Sequence, residues 1–457
     1  MSRKKKIFLI VGSVVVLLIL GVFLLAKFGN FNKKNILTNS ISALDKAVKF
    51  LPIKEDTKKE IEVIDKLTQE FTREDNIERR FLLLLQNNME LRPGGGFLGQ
   101  YAVIKIKNGK VTSLVFEDAN LLDQRIEAKV TPPYPFEKMM SLKKWKFRDS
   151  NFSPDFPTNA EKAKYFYRLA GENNNFDGVI AVNASTFERA FDLTGPMTIN
   201  GVELNSDNAV LKLEELVEKK YILNPDIDTQ NRKSMMKTLA TQMVDKLSNI
   251  QSIPKLAEFG LSELRNKDVM LNFKDENLQR LVREAHWDGS VTTDWGSDYL
   301  MMVDANMGAL KSDYYIDRKI TYEVDLTGEK PIATAYIDYT HNATYGDWRT
   351  SDYHTYMRLY VPKGSTLLER EMVSYPNVQE EFGKTYFGFT VHVLINRSTH
   401  ARIKYELPES IRNGDYRLLI QKQSGVGDVP VSVKVKTAEG EYVQDEILKK
   451  DLKFEFE

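Results

Sequence analysis

Two short segments of this chain concentrate the residue types that hold anions and metal ions. The first is Gln86-Asn87-Asn88-Met89-Glu90-Leu91-Arg92-Pro93-Gly94-Gly95-Gly96-Phe97. Gly94, Gly95 and Gly96 would let the backbone approach a ligand closely and turn several N–H groups toward an anion. Arg92 beside them would clamp a phosphate or carboxylate through its planar fork. A tight loop whose glycines serve geometry alone is the competing reading. No Gly-Lys-Ser/Thr follows, so this is not a Walker loop, and the glycine spacing is not that of a dinucleotide fingerprint. The second segment, Phe147-Arg148-Asp149-Ser150-Asn151-Phe152-Ser153-Pro154-Asp155-Phe156-Pro157, packs two carboxylates and a guanidinium into a Pro-rich loop. Asp149 and Asp155 would supply oxygen ligands to a hard cation such as Mg²⁺. An Asx-turn followed by a helix N-cap at Thr158 or Asn159 is the plainer alternative, and it leaves Arg148-Asp149 unexplained. A third point is Arg232-Lys233 at the start of an expected helix. Cations there oppose the helix dipole, so a nearby anion would account for them, although a solvated surface pair is commoner. The five histidines (286, 341, 354, 392 and 400) are scattered without ligand spacing. Neither a Gly-x-Ser-x-Gly elbow nor a His-Glu-x-x-His helix occurs.

These segments need elements to position them. Phe81-Leu82-Leu83-Leu84-Leu85 is a continuous apolar run of strand length, as expected for a strand buried on both faces. Residues 101–106 and 111–116 read as a hairpin turning at Asn108-Gly109. The pattern then predicts a helix over 160–170, a buried strand over 177–182, a helix over 185–193 and a short hairpin at 197–202. Further helices are expected over 207–219, 231–247 and 252–266. This mixture indicates an α/β domain with a central sheet and flanking helices, assigned to residues 79–300. From Asp317 the texture changes to about seven period-two segments separated by Gly, Pro or Asn, which predicts an all-β sandwich over 301–457. Residues 31–78 read as a helical connector, two amphipathic helices broken near Pro52.

The first thirty residues carry a different signal. Arg3, Lys4, Lys5 and Lys6 precede the uncharged run Ile7–Ala26. Twenty residues rising ~1.5 Å each make about 30 Å, the thickness of a bilayer's hydrocarbon core. Leu24-Leu25-Ala26 is a poor cleavage site, so residues 1–30 predict a single uncleaved transmembrane helix with a short cytoplasmic tail. The bulk of the chain is then expected outside the cell. Basic and acidic residues balance at 64 each, so no global field recruits nucleic acid. The absence of cysteine from the sequence excludes disulfides, zinc–thiolate sites and thiol nucleophiles.

Four ordered motifs resemble a bacterial surface family known as a domain of unknown function, number four-zero-one-two. They are Leu85-Gln-Asn-Asn-x-Glu-Leu-Arg-Pro-x-Gly-Gly-Phe, Arg148-Asp-x-Asn-Phe-Ser-Pro-Asp-Phe-Pro, Phe176-Asp-Gly-Val-Ile-Ala-Val and Leu193-Thr-Gly-Pro. The resemblance extends through Asp304-Ala-Asn-Met-Gly-Ala-Leu-Lys-Ser and Tyr360-Val-Pro-Lys-Gly-Ser, and it implies no particular activity. The motif order is also similar, more distantly, to the LytR–CpsA–Psr (LCP) family of membrane-anchored phosphotransferases, which move glycopolymers from a polyprenyl-pyrophosphate carrier onto the cell wall. Arg148-Asp149 sits where that family has Pro-Arg-Asp-Thr, and Asn159-Ala160 where its Ile-Asn-Ala helix begins. Residues 176–195 resemble its strand, helix and Leu-Gly-Gly turn, and Arg232-Lys233 its Arg-Arg-Gln. The resemblance implies that Arg92, Arg148 and Arg232 bind the pyrophosphate and that Asp149 binds Mg²⁺ or positions the attacking hydroxyl. One departure matters: Arg92 is followed by Pro93-Gly94-Gly95-Gly96, where the phosphotransferases have Arg-Ser-Asp-Thr with its metal-binding Asp.

Two functions are therefore expected to compete. One is an LCP-like transferase acting on a polyprenyl-pyrophosphate-linked glycan in cell-wall polymer attachment. The other is a noncatalytic envelope protein that binds an anionic glycopolymer or makes partner contacts. The first requires the arginines to converge on one open groove. The second tolerates arginines that are scattered or spent in buried ion pairs.

Overall fold

A computed structural model of the protein describes residues 42, 45–46, 54–199, 201–215, 238–239, 242–243, 246–247, 253–412 and 416–456. The expected membrane helix, the first connector helix and Arg232-Lys233 lie outside the described residues, apart from isolated positions of the connector. Among the described residues no helix is long and apolar enough to cross a membrane. The protein is a mixed α/β chain with several sheets and a strand-rich C-terminal region. It divides into two compact units. The first comprises residues up to Gln86 together with Leu98–Glu127 and Phe156–Gly289, and the second Asn87–Phe97, Ala128–Asp155 and Ser290–Glu457. Both chemistry-rich segments, expected within the α/β domain, thus fall almost entirely in the strand-rich unit.

In the first unit, helix α1 (Glu55–Thr72) repeats apolar residues on one face, and Ile61, Ile64, Leu67 and Phe71 are buried. Strands β1 (Glu78–Arg92), β2 (Gly95–Lys107), β3 (Lys110–Asp118), β4 (Gly178–Asn183) and β7 (Val269–Phe273) make one sheet in the order β3-β2-β1-β4-β7. Strands β5 (Met197–Ile199) and β6 (Val202–Leu204) form the expected short hairpin. The apolar run of β1 pairs parallel with β4, Phe81 opposite Gly178 through Gln86 opposite Asn183, and is buried as expected. Helices α2 (Phe156–Leu169), α3 (Ala184–Thr194), α4 (Ile253–Arg265) and α5 (Glu276–Glu284) belong to the unit, with the short helices Ala119–Gln124 and Ala209–Glu214, the latter within the helix expected over 207–219. Helix α2 starts earlier than the sequence suggested, so Thr158 and Asn159 lie inside its first turn and are not its caps. Phe71, Phe81 and Phe273 meet in the core with ring centroids 5.1–6.4 Å apart.

The second unit contains strands β8 (Asp298–Val303), β9 (Ile316–Asp325), β10 (Ile332–His341), β11 (Tyr353–Pro362), β12 (Thr366–Glu371), β13 (Asn377–Glu381), β14 (Lys384–Val393), β15 (Ser398–Glu406), β16 (Arg417–Ile420), β17 (Val429–Thr437), β18 (Gly440–Leu448) and β19 (Leu452–Glu455). They form two six-stranded sheets, β12-β15-β10-β9-β17-β18 and β13-β14-β11-β8-β16-β19. Inward side chains of both sheets, among them Tyr322, Ile337, Tyr339, Met357, Phe389 and Ile403, share one apolar core. The strand edges are managed by charge: β12 reads Thr-Leu-Leu-Glu-Arg-Glu and β13 Asn-Val-Gln-Glu-Glu, which discourages pairing with foreign strands.

One buried acid in this core carries a pH signature. Asp298 is fully buried, and its Oδ2 accepts hydrogen bonds from the Tyr322 hydroxyl at 2.9 Å and the Tyr416 hydroxyl at 2.6 Å. Burial pushes its carboxyl up to about 6, the phenol hydrogen bonds offsetting only part of that cost. A carboxyl raised on folding contributes stability that is complete below the unfolded value near 3.8 and is lost as pH rises through about 6. Wild-type unfolding free energy is therefore expected to fall by about 2 kcal/mol more between pH 4 and pH 7 than that of Asp298→Asn. Parallel slopes in urea titrations of the two proteins would show that Asp298 is ionised throughout this range.

Candidate functional site

The glycine segment folds as the turn between β1 and β2, with Pro93 and Gly94 at its apex. Residues Glu90 and Arg92 stand two apart on β1 and so share a face. Arg92 is 1% exposed. Its Nε donates to Asp149 Oδ1 at 3.1 Å and its Nη2 to Glu90 Oε1 at 2.9 Å. Its Nη1 donates to the carbonyls of Asn306 at 3.0 Å and Leu91 at 3.3 Å. The guanidinium carbon also lies 5.4 Å from the centre of the Phe97 ring and 5.7 Å from that of Phe136. Four of the five guanidinium donors are thus spent inside the protein.

The glycines are equally committed. The Gly94 N–H donates to the Asn151 carbonyl at 3.0 Å, and the Asn151 amide donates to the Gly96 carbonyl. A Cβ on Gly96 would sit 2.3 Å from the Asn87 carbonyl carbon, and one on Gly425 would sit 2.3 Å from the Gly95 oxygen. Close backbone approach therefore accounts for Gly96 and Gly425, and the first chemistry-rich segment is tied to the second.

Asp149 is 6% exposed, at the end of a short 3₁₀ turn, Phe147–Asp149. Burial pushes its carboxyl above the ordinary carboxylate range; Arg92 opposes the shift and Glu90 adds to it. For Glu90 the balance reverses. Burial alone would raise it, but Arg92 and Lys311, whose Nζ lies 3.0 Å from Glu90 Oε2, hold it below its usual value. Arg148 is half-buried beside Asp149, and its charge lowers that carboxyl. Asp155 is turned elsewhere: its Oδ1 accepts the Val291 N–H at 3.1 Å, and its own N–H reaches Ser153 Oγ. A site for Mg²⁺ calls for open carboxylate oxygens and room for water. The Asp149 oxygen facing Arg92 and the Asp155 oxygen facing Val291 are both engaged. Among the described residues no group of three or more His, Asp or Glu is gathered to hold a metal.

A second buried cluster adjoins the first. Arg318 Nε donates to Asp304 Oδ2 at 2.7 Å, and its Nη2 donates to Asp313 Oδ1 at 2.7 Å and to the Tyr353 hydroxyl at 2.9 Å. Tyr339 and Thr355 hydroxyls each donate to Asp304 Oδ1 at 3.0 Å. The Leu91 N–H and the Asn306 amide donate to Asp313 Oδ2 at 3.0 and 2.8 Å. Burial raises the Asp313 carboxyl, and Arg318 leads the groups that oppose it. Asn306 joins the clusters, its carbonyl accepting from Arg92 while its amide serves Asp313. Gln423 adds a third bridge, its amide nitrogen donating to the carbonyls of Arg92 at 3.2 Å and Asp304 at 2.8 Å. The result is one buried lattice running through Asp149, Arg92, Glu90, Lys311, Asn306, Asp313, Arg318 and Asp304.

The first unit has its own polar chain at the carboxyl ends of the parallel pair β1 and β4. Gln86 donates to Asn183 Oδ1 at 3.0 Å, and Asn183 to Asp268 Oδ1 at 3.1 Å. Arg189 on α3 pairs with Asp268 at 2.7 Å and with Glu263 at 2.6 Å. Strand ends of this kind are where open α/β sheets bind ligands. Here the groups of the chain are spent on one another.

The structure thus brings Arg92, Asp149 and the glycine turn together, and Asp155 Oδ1 accepts the Val291 N–H. Sequence reasoning gave no role to Glu90, Asn306, Asp313 or Arg318. Arg318 was legible in principle, because it occupies a core-facing position in the alternation Ile316, Arg318, Ile320, Tyr322. A charged residue where the period demands an apolar one marks a buried pair.

These features define a two-unit α/β and β protein whose motif residues knit a buried ionic lattice. Residues 76–217 match the model of the family described as "Protein of unknown function (DUF4012)", which is the family expected from the motifs. No curated protein and no solved structure matches the chain.

Proposed function

We propose that this is a noncatalytic, single-pass cell-envelope protein, held to the membrane by residues 7–26 and carrying its folded units outside the cell. In this reading the first unit is distant kin of the LCP fold, and the second is a β-sandwich that binds an envelope glycopolymer or a partner. Anchoring rests on the basic tetrad and the twenty-residue uncharged run. One observation carries the noncatalytic part: the Arg92 guanidinium, which a transferase needs for pyrophosphate, is 1% exposed and donates to Asp149, Glu90 and two carbonyls. Phosphoryl transfer works by positioning groups that meet the phosphate, and a guanidinium enclosed this way meets none. The rival transferase reading keeps only Arg148 of the described arginines that it invokes.

The test uses the full chain in detergent with a polyprenyl-pyrophosphate-linked disaccharide. The expected result is no release of polyprenyl phosphate, and any binding of the probe unchanged in Arg148→Ala. Saturable binding that Arg148→Ala abolishes at unchanged melting temperature would restore the transferase. In cells, the protein should pellet with membranes and be cut by protease added from outside; a soluble, protected protein would overturn the envelope assignment.

A further inference from the structure

We propose that His354 and His392 form an acid-sensitive latch across the ends of strands β11 and β14, which holds this corner of the second unit closed at neutral pH and loosens it in acid. The two residues are directly opposite in the antiparallel register, so both rings rise from the same face of the sheet. Their centres lie 4.2 Å apart, with the planes 13° from parallel. His354 is half-buried, and the His392 side chain is 47% exposed. Asp352, just before β11, adjoins the pair. Its Oδ2 is 3.6 Å from His392 Nε2, while its Oδ1 accepts the Ile395 N–H at 3.0 Å.

Both sides of the pair reach fixed parts of the fold. Asp352 ties the turn that follows β14, where Asn396 takes a positive φ of 57° before β15 begins at Ser398. The His392 carbonyl accepts the Thr399 hydroxyl at 2.9 Å across that turn. On the other side, the His354 carbonyl accepts the Met307 N–H at 2.8 Å. Thr355, the next residue, bridges to Asn306 and donates its hydroxyl to Asp304 Oδ1 at 3.0 Å. The latch therefore adjoins the buried ionic lattice through Asn306 and Thr355.

Charge makes this contact respond to protons. Two neutral imidazoles stack favourably, whereas two imidazolium rings at this separation repel. A first proton on His392 faces the Asp352 carboxylate; a second, on His354, would face the first. Burial holds the His354 ring below its ordinary value, the His392 charge adds to that, and Asp352 opposes it. The other described elements beside the ring add no charge that acts on it. Residues 305–308 are Ala, Asn, Met and Gly. The short helix Tyr134–Met140 brings Tyr134 to Tyr356 and Met139 to Thr390, with Glu137 and Lys138 exposed. A histidine kept neutral on folding contributes stability that is complete above its unfolded value near 6.5 and is lost as pH falls through its folded one. Acid therefore works against the closed pair, in the opposite sense to its effect at Asp298.

The latch is independent of where the protein resides, and it is tested on the full-length chain by hydrogen–deuterium exchange read by mass spectrometry, at the imidazole C2 position and at backbone amides. His392→Gln is expected to move the His354 titration midpoint to higher pH, and Asp352→Asn to move it lower. In wild type, amide exchange over residues 353–357 and 389–397, corrected for the intrinsic effect of pH, should quicken roughly fivefold or more between about pH 7.5 and about pH 5. In His354→Gln the same segments should change by less than about twofold. A His354 midpoint that ignores His392→Gln would show that the rings do not sense each other and would overturn the latch. So would acid-quickened exchange that persists in His354→Gln, since the proton would then act elsewhere. The first comparison needs no change at His354, so it decides the matter even where His354→Gln lowers stability at neutral pH.

Discussion

Replacing Arg92 with alanine is expected to destabilise the second unit by about 3–5 kcal/mol, as found when one partner of a buried ion pair is removed. The cost arises mainly from what remains. Asp149 and Glu90, 6% and 4% exposed, lose the cation that both face; Glu90 keeps its pair with Lys311, and Asp149 keeps the nearby charge of half-buried Arg148. The Asn306 and Leu91 carbonyls lose a donor as well. Arg92→Met, which restores most of the volume, should recover little of the loss. The triple change Arg92→Met/Glu90→Gln/Asp149→Asn should recover more, since the two buried carboxylates that faced the guanidinium are then neutral. Urea unfolding followed by fluorescence reads all three. A loss below about 1 kcal/mol for Arg92→Ala, the range of an exposed pair, would mean that the guanidinium is available to a ligand after all.

The pattern of what was legible follows from the same physics. Strand β1 was readable because Phe81–Leu85 is apolar on both faces, and Asn108-Gly109 marked the β2–β3 turn by its demand for positive φ, 52° and 70°. Strand β8 was not read as a strand, and the expected boundary at 300/301 cuts through it, because Tyr299-Leu-Met-Met-Val lacks alternation, being buried along its whole length between β11 and β16. Charged edge strands such as β12 and β13 carry no apolar period and were passed over. Arg92, Asp149 and the glycines were correctly seen as exceptional, but residue type alone does not distinguish an open guanidinium from an enclosed one. That distinction depends on Asn306, Asp313 and Gln423, more than 200 residues away along the chain. Interleaving of segments 87–97 and 128–155 with the C-terminal strands is a long-range feature with no local signature.

A lattice of this kind costs desolvation that an apolar core would avoid, so its use calls for a reason beyond stability. Every member is tied to loops and not to the sheet interior alone: Glu90 and Arg92 to the β1–β2 turn, Asp149 to the Pro-rich loop, and Lys311 and Asp313 to the segment bearing Tyr314. Directional bonds fix register where apolar contact would let loops slide, and a fully satisfied network adds rigidity. The motifs then serve to hold irregular backbone in a single arrangement.

Arg318→Met tests this at the other end of the lattice, with an expected loss of about 3–5 kcal/mol at pH 7. Asp304 and Asp313, whose side chains are 0% and 3% exposed, both depend on this one guanidinium. Hydroxyls of Tyr339, Tyr353 and Thr355 remain to them but carry no charge. Without Arg318, desolvation pushes the Asp313 carboxyl further up than burial already raises it. A group raised on folding stabilises below its unfolded value and loses that contribution as pH climbs through its folded one. The difference between wild type and Arg318→Met should therefore shrink steadily from pH 7 to pH 4, as the stranded Asp313 takes up a proton. A difference that stays constant over that range would assign the loss to packing of the Arg318 stem between Tyr339 and Tyr353, whose ring centres lie 5.9 and 5.7 Å from its guanidinium carbon. The ionic lattice would then not be what holds the Tyr314 loop.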